Sequence, residues 1–278
     1  MASLGLCRGG TTIDNNNFGA YGANIAWLNW RGDAINGAVI GAYVCSGGIY
    51  AANVGWISLG SGSPTNQIYY QNLSAGDFGV NQDGKGNLRG FAYGANIGWV
   101  AFESTGAPKV DLRTGKFSGS AYSANCGWIS LTNAQTVVQT DIIAKGVDSN
   151  GKGMPDAWQM MYFGHLGVDP NADADGDGVS NLDEYLAGTN PLDPTDCLRI
   201  TSQSYVFGSA STTVTLTWRS EPTRQYYILG TSGLSPSFWL DSGLGLISPD
   251  GASTTRSFSE GTATNRFYII KVIRPLDP

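Results

Sequence analysis

The sequence predicts a mainly β protein in three parts: N-terminal repeated β-hairpins (residues 1–135), a short helical joint with an acidic loop (136–198) and a small C-terminal β-sandwich (199–278). Three observations predict it. Gly supplies 39 of 278 residues and charged residues only 14%, and the apolar runs are short, a composition of strands joined by tight turns. One motif recurs four times before residue 135. Alternating apolar and polar residues return after residue 199, beyond an acidic stretch.

The repeats come first in the chain. YGANIAWLNW starts at Tyr21, YAANVGWISL at Tyr50, YGANIGWVAF at Tyr93 and YSANCGWISL at Tyr122. The tyrosines are 29, 43 and 29 residues apart, so the middle interval holds an insertion, placed within SGSPTNQIYYQNLSAGDFGVNQDGKG. Each motif reads as a strand, a turn at Ala-Asn and a second strand. Asn24, Asn53, Asn96 and Asn125 suit that turn because Asn tolerates left-handed backbone angles. Gly55, Gly98 and Gly127 precede the Trp and are expected to let a neighbour approach closely. In the second strand Ile97, Trp99 and Ala101 share one face and Gly98, Val100 and Phe102 the other, so both faces are expected to be covered. Such repeats share one core as a barrel, a sandwich or a short solenoid. Trp27, Trp56, Trp99 and Trp128 are expected in that core; the alternative is an exposed sugar-binding platform, for which apolar rings with polar tips are suited.

The joint carries the metal chemistry. DADGDGVSNLDE places Asp173, Asp175 and Asp177 at alternate positions, then Gly178, with Glu184 at the twelfth. That is a calcium-loop spacing. Calcium takes about 6–8 oxygens, alternate residues of a tight coil aim at one centre, and Gly178 permits the turn that lets the Val179 carbonyl join. Asn181 ligates directly or through water, and Glu184 closes the site. Between Asp141 and Asp196 stand 11 acids and 2 lysines, so the acidity is local in a chain of net charge −6. Upstream, DSNGKGMPDAWQ resembles a degraded copy, with Asp148, Asn150, Met154 and Asp156 as ligands of a possible second metal site, but with Lys152 and Gln159 at the fifth and twelfth places. A polar turn capping a helix is the simpler reading. Pro155 begins that helix, with Trp158, Met161 and Tyr162 as its stripe and Gly164 as its stop. Leu182, Tyr185 and Leu186 repeat the stripe after the loop, with Gly188 and Pro191 as stops.

GMPDAWQMMYFG followed by DPNADADGDGVSNLDEYLAGTNPLDP resembles the calcium-loop segments of large secreted bacterial proteins. It is similar to thrombospondin type 3 repeats and to the loop–helix units of dockerins. The four Tyr-x-Ala-Asn-x-Gly-Trp motifs resemble a repeat of bacterial extracellular proteins. The resemblance implies a multi-module extracellular or cell-surface protein stiffened by Ca2+. A dockerin needs a duplicated loop pair, and the first loop here is degraded.

In the C-terminal part TTVTLTWRS, RQYYILGTS, TTRSFSE and NRFYIIKVI read as strands. Val214, Leu216 and Trp218 alternate with threonines, which leaves one face solvated. The pattern is similar to fibronectin type III. Trp239 is expected in the core, with a binding loop as the alternative.

Several classes are excluded on residues. No Lys/Arg cluster supports nucleic-acid binding. No apolar run reaches the roughly 18 residues of a transmembrane helix. MASLGLCRGG lacks the charged and apolar regions of a signal peptide, so none is expected within this chain. Cys7, Cys45, Cys126 and Cys197 permit up to two disulfides of unspecified connectivity, and Cys126, at an apolar repeat position, suits a buried free thiol equally well. His165, the single histidine, is expected at the surface. With no phosphate loop or triad, and with Asp77, Glu103 and Asp111 scattered, no enzyme is expected. The expected role is a non-catalytic extracellular structural protein, self-associating into a surface layer, matrix or fibre or binding other extracellular proteins. Strand addition by residues 1–17 is one expected route. The alternative is a carbohydrate-binding or adhesion module with glycan partners.

Overall fold

The computed structural model describes residues 10–33, 35–233, 238–261 and 266–277. The chain folds as two compact units: residues 1–151, 155–167 and 276–278 form one, and residues 152–154 with 168–275 form the other. The segment 136–198 is thus shared between them. The described residues are mainly β, with two short α-helices. No helix among the described residues is long and apolar enough to cross a membrane.

The four motifs make four antiparallel hairpins: β1 (Ile13–Gly22) with β2 (Ala26–Asn29), β3 (Cys45–Ala51) with β4 (Gly55–Ser61), β5 (Leu88–Gly94) with β6 (Gly98–Phe102), and β7 (Ser120–Ser123) with β8 (Gly127–Ser130). Each hairpin pairs with the next, and β8 pairs with β1, so the sheet closes into a barrel. Closure removes the open edges. The registers between hairpins repeat: Asn29 faces Tyr50, Ser58 faces Tyr93, Ala101 faces Tyr122 and Ser130 faces Tyr21. The inner positions vary among apolar residues, Leu28, Ile57, Val100 and Ile129, and all are buried with Trp30, Phe102 and Leu131. They leave a void of about 10 Å³, so the interior is a packed core.

The turns explain the motif residue by residue. In each, the apolar residue after Asn donates its N–H back three residues, as Ile97 does to Gly94 (3.1 Å). The next residue is left-handed: Ala26, Gly55, Gly98 and Gly127 have φ of 62°, 80°, 69° and 76°. This is the three-residue hairpin loop ended by a left-handed residue. The asparagines, expected to be the left-handed residues, are not. Their side chains tie the hairpins together. Asn53 Nδ2 donates to the Ile25 carbonyl (3.3 Å), Asn96 to Val54 (3.0 Å), Asn125 to Ile97 (3.0 Å) and Asn24 to Cys126 (3.1 Å), a ring that runs round one barrel end. Nor do the glycines serve close approach. A Cβ on Gly55, Gly98 or Gly127 would meet its nearest atom at 3.6–3.7 Å, ordinary contact, so left-handed backbone is the reason for Gly there. Ile25, Val54, Ile97 and Cys126 turn inward and plug the barrel below this ring.

The insertion between the second and third hairpins folds onto the barrel. Tyr70 Oη donates to the Cys45 carbonyl (3.0 Å), and the Asp77 carboxylate accepts from Thr65 N (3.1 Å), Thr65 Oγ1 (2.9 Å) and Gln71 N (3.1 Å). Helix α1 (Asp156–Phe163) also belongs to this unit and ends at left-handed Gly164. Of its expected stripe Trp158 is buried, but Met161 is 37% exposed; Asp156 and Gln159 complete the buried side.

The second unit contains helix α2 (Asn181–Ala187) and two three-stranded sheets. One sheet orders β9 (Ile200–Phe207), β10 (Ser211–Arg219) and β13 (Ser253–Gly261); the other orders β12 (Leu240–Asp241), β11 (Gln225–Thr231) and β14 (Phe267–Ile273). Val214, Leu216, Trp218 and Phe258 from the first and Tyr226 and Ile228 from the second share one core. The four predicted strands are present, and β9 is one that the residue pattern did not announce. Trp239 is half-buried and lies outside the core cluster. Cys45, Cys126 and Cys197 are buried free thiols. Cys7 and most of the 1–17 segment lie outside the described residues.

Candidate functional site

The acidic loop brings together three of the residues expected to hold a metal. Carboxylate oxygens of Asp173, Asp175 and Asp177 lie within 4.8 Å of one another. Backbone N–H groups shape the coil from within: Gly176 donates to Asp173 Oδ1 (2.7 Å), Gly178 to Asp173 Oδ2 (2.8 Å) and Val179 to Asp177 Oδ1 (2.8 Å). The Gly178, Gly176 and Asp177 amides hold the Asp173 carboxyl below its usual range. Gly176 and Gly178 have φ of 81° and 94°, which the coil requires and side chains resist.

Helix α2 follows the loop directly and carries the other two expected side-chain ligands. Ser180 caps it, accepting from Asp183 N (3.2 Å), and this places Asn181 and Glu184 on its buried side. Asn181 is anchored by its Nδ2 on the Asp169 carbonyl (2.9 Å). Glu184 is 0% exposed and accepts one bond, from Thr189 Oγ1 to Oε1 (3.2 Å). Among the described residues, the buried oxygens without a hydrogen-bond partner include Asp175 Oδ2, Asp177 Oδ2, Asn181 Oδ1 and Glu184 Oε2. Burial raises the Glu184 carboxyl to about 7, Thr189 opposes this, and Asp175, Asp177 and Asp196 add to it. Burial, then the charges of Asp177 and Asp173, also raises Asp175. Unpartnered buried carboxylates that repel one another are costly. An oxygen-seeking dication neutralises that cost, so the donor set fits Ca2+. Thr189, Asp169 and Asp196 support the site and were not read from the sequence, because no loop spacing specifies them.

The loop and helix are fastened to the sheets of their own unit. Arg224 Nε donates to the Leu186 carbonyl at the end of α2 (2.8 Å). The Arg274 guanidinium lies 4.4 Å from the Tyr185 ring centroid, and Arg219 pairs with Asp196 at 2.7 Å.

The upstream copy is built differently. Asp156 Oδ1 accepts from Ser149 N (3.0 Å) and Ser149 Oγ (3.0 Å), and Asn150 Nδ2 donates to Gln159 Oε1 (3.0 Å). Met154 is buried. These bonds make a polar turn at the start of α1, and with Lys152 and Gln159 in ligand places the segment offers two carboxylates, Asp148 and Asp156. His165 is exposed, its Nδ1 3.0 Å from the Leu166 carbonyl oxygen.

The repeat tryptophans are outside the barrel core, contrary to the expectation from the strand pattern. Trp27, Trp56, Trp99 and Trp128 are 41–54% exposed. The inner face of each strand already fills the barrel, so the outer face meets solvent. Each Trp stands opposite its motif tyrosine, with ring centroids 4.9–5.3 Å apart. Four Tyr–Trp pairs therefore form a belt just below the asparagine ring. Comparison of the chain with protein-family models, curated proteins and solved structures returns no match.

Proposed function

We propose that this chain is a non-catalytic, calcium-stabilised structural protein of the extracellular space or cell surface. One observation carries the reading: carboxylate oxygens of Asp173, Asp175 and Asp177 lie within 4.8 Å of one another, and buried oxygens of Asp175, Asp177, Asn181 and Glu184 have no hydrogen-bond partner. In this reading Asp173, Asp175, Asp177, Asn181, Glu184 and the Val179 carbonyl hold Ca2+. The ion neutralises the loop, and Arg224, Arg274 and Arg219 carry the gain in rigidity to the sheets. Millimolar external calcium keeps such a site loaded. The sheet orders of the second unit support a fibronectin type III-like sandwich. In this reading Asp148, Asn150, Met154 and Asp156 are no second metal site, and Asp156 and Asn150 close a polar turn instead.

Self-association is the proposed use. β9 is an edge strand of eight residues without Lys, Arg, Pro or Gly, and Val206 and Phe207 on it are 69% and 81% exposed. An uncharged edge with exposed apolar side chains is a template for pairing with another copy. The test is light scattering and electron microscopy of the purified chain in calcium and then in excess chelator. Ordered assemblies that dissolve in chelator support the polymer. A monomer in both conditions, with unchanged heat stability, sinks the reading.

A further inference from the structure

The four Tyr–Trp pairs are not equivalent. Two residues before the motif tyrosine stand Gly19, Gly48 and Ser120 in three copies, but Phe91 in the third. The third copy also follows the insertion, which contributes Phe78. In the second copy the Trp56 ring lies over glycine: a Cβ on Gly48 or Gly32 would come within 2.9 or 2.7 Å of it. In the third, Phe78 and Phe91 stand edge-on to Trp99 instead, with centroids 5.2 and 6.1 Å away and planes turned by 80° and 70°. The rings border an open pocket of about 360 Å³, lined also by Asn72, Leu73 and Ser74 of the insertion.

We propose that this cavity is a binding site for a neutral sugar ring of an extracellular glycan. No lining residue carries a charge, so a charged ligand would lose its hydration without an ion pair in return. The walls are aromatic, and the C–H face of a pyranose is the apolar surface that stacks on them. The volume falls in the small-ligand range of about 300–1,000 Å³. Polar groups sit at one side only. Asn72 is held in a left-handed conformation (φ 58°), its Oδ1 accepting from Gly79 N (3.0 Å) and its Nδ2 donating to the Tyr70 carbonyl (3.3 Å). An amide nitrogen has two hydrogens, so Asn72 keeps a second donor for sugar hydroxyls, and Ser74 adds a hydroxyl to the lining. The insertion that distinguishes the third copy is therefore also what builds its polar side.

The test is titration of the full chain with cellohexaose, mannohexaose and chitohexaose, read by tryptophan fluorescence and calorimetry, with tetramethylammonium chloride as a cation probe. At least one sugar is expected to bind saturably, and Phe91→Gly and Phe78→Ala to weaken it by about tenfold or more, 1.4 kcal/mol. Phe91→Gly installs the residue that the first two copies carry, so the hairpin remains foldable; a thermal melt checks this. Silence with all three sugars overturns the proposal. So does tetramethylammonium binding without sugar binding, which would make the cavity a cation cage. Equal weakening by Trp128→Ala would spread the site over the belt and also overturn it.

Discussion

At the scale of single residues, the left-handed position before each Trp and the buried Glu184 are the most exposed to test. Ala26 holds at φ 62° a place where the other copies have Gly. Ala26→Gly is expected to raise stability by about 0.5 kcal/mol, since relief of strain exceeds the added chain entropy, whereas Gly98→Ala lowers it by about 1 kcal/mol. Denaturant midpoints of the two variants decide this. For Glu184, burial lifts the folded carboxyl from 4.5 to about 7. Without calcium the folded chain therefore keeps a proton that the unfolded chain has released within that window. Metal-free stability falls as pH rises from about 4.5 to about 7, while saturating calcium, which replaces the proton, removes that fall. Glu184→Gln is expected to melt no lower than wild type in chelator at neutral pH and to gain much less from added calcium. A full calcium response in Glu184→Gln would separate this residue from the metal.

At the scale of elements, the hairpin sorts its aromatic residues by face. Trp30 is 2% exposed and fills the barrel interior, so Trp30→Ala is expected to cost about 3–5 kcal/mol. Trp128 lies on the outer face, and Trp128→Ala should cost only about 1 kcal/mol, chiefly the pair with Tyr122. Unfolding curves of the two variants are expected to differ accordingly. The edge strand β9 belongs to the same scale. Phe207→Lys places a charge where a second copy would pair, and it should abolish calcium-dependent assembly without changing the melting temperature. Assembly that survives Phe207→Lys would move the contact elsewhere.

At the scale of the whole molecule, the division into two units predicts two calorimetric transitions. The calcium residues and Arg224, Arg274 and Arg219 all lie in the second unit. Chelator is expected to lower one transition and leave the barrel transition in place. A single transition that shifts as a whole would mean that the ion stabilises both units together.

Local chemistry was legible in the sequence. The four hairpins, the helix stops at Gly164 and Gly188, the alternation that buries Val214, Leu216 and Trp218, and the clustering of Asp173, Asp175 and Asp177 each depend on neighbours within about a dozen residues. What only the tertiary structure decided involves partners far apart in the chain. Barrel closure joins β8 to β1, and no pattern within one motif distinguishes that from a sandwich or solenoid. Closure also settles which face of each strand is inside. The inner face fills the available space, and Trp27, Trp56, Trp99 and Trp128, apolar enough for a core, are left outside it. The asparagines were read as turn formers because the sequence offers no hint that Asn125 reaches the Ile97 carbonyl of the preceding hairpin. The cavity beside Trp99 was half legible: the four copies, aligned, already set Phe91 apart from Gly19, Gly48 and Ser120. Phe78 and Asn72 join it only because the insertion folds back on the barrel. Motifs record what a short stretch of backbone requires, whereas closure and enclosure depend on distances that the linear spacing of residues does not contain.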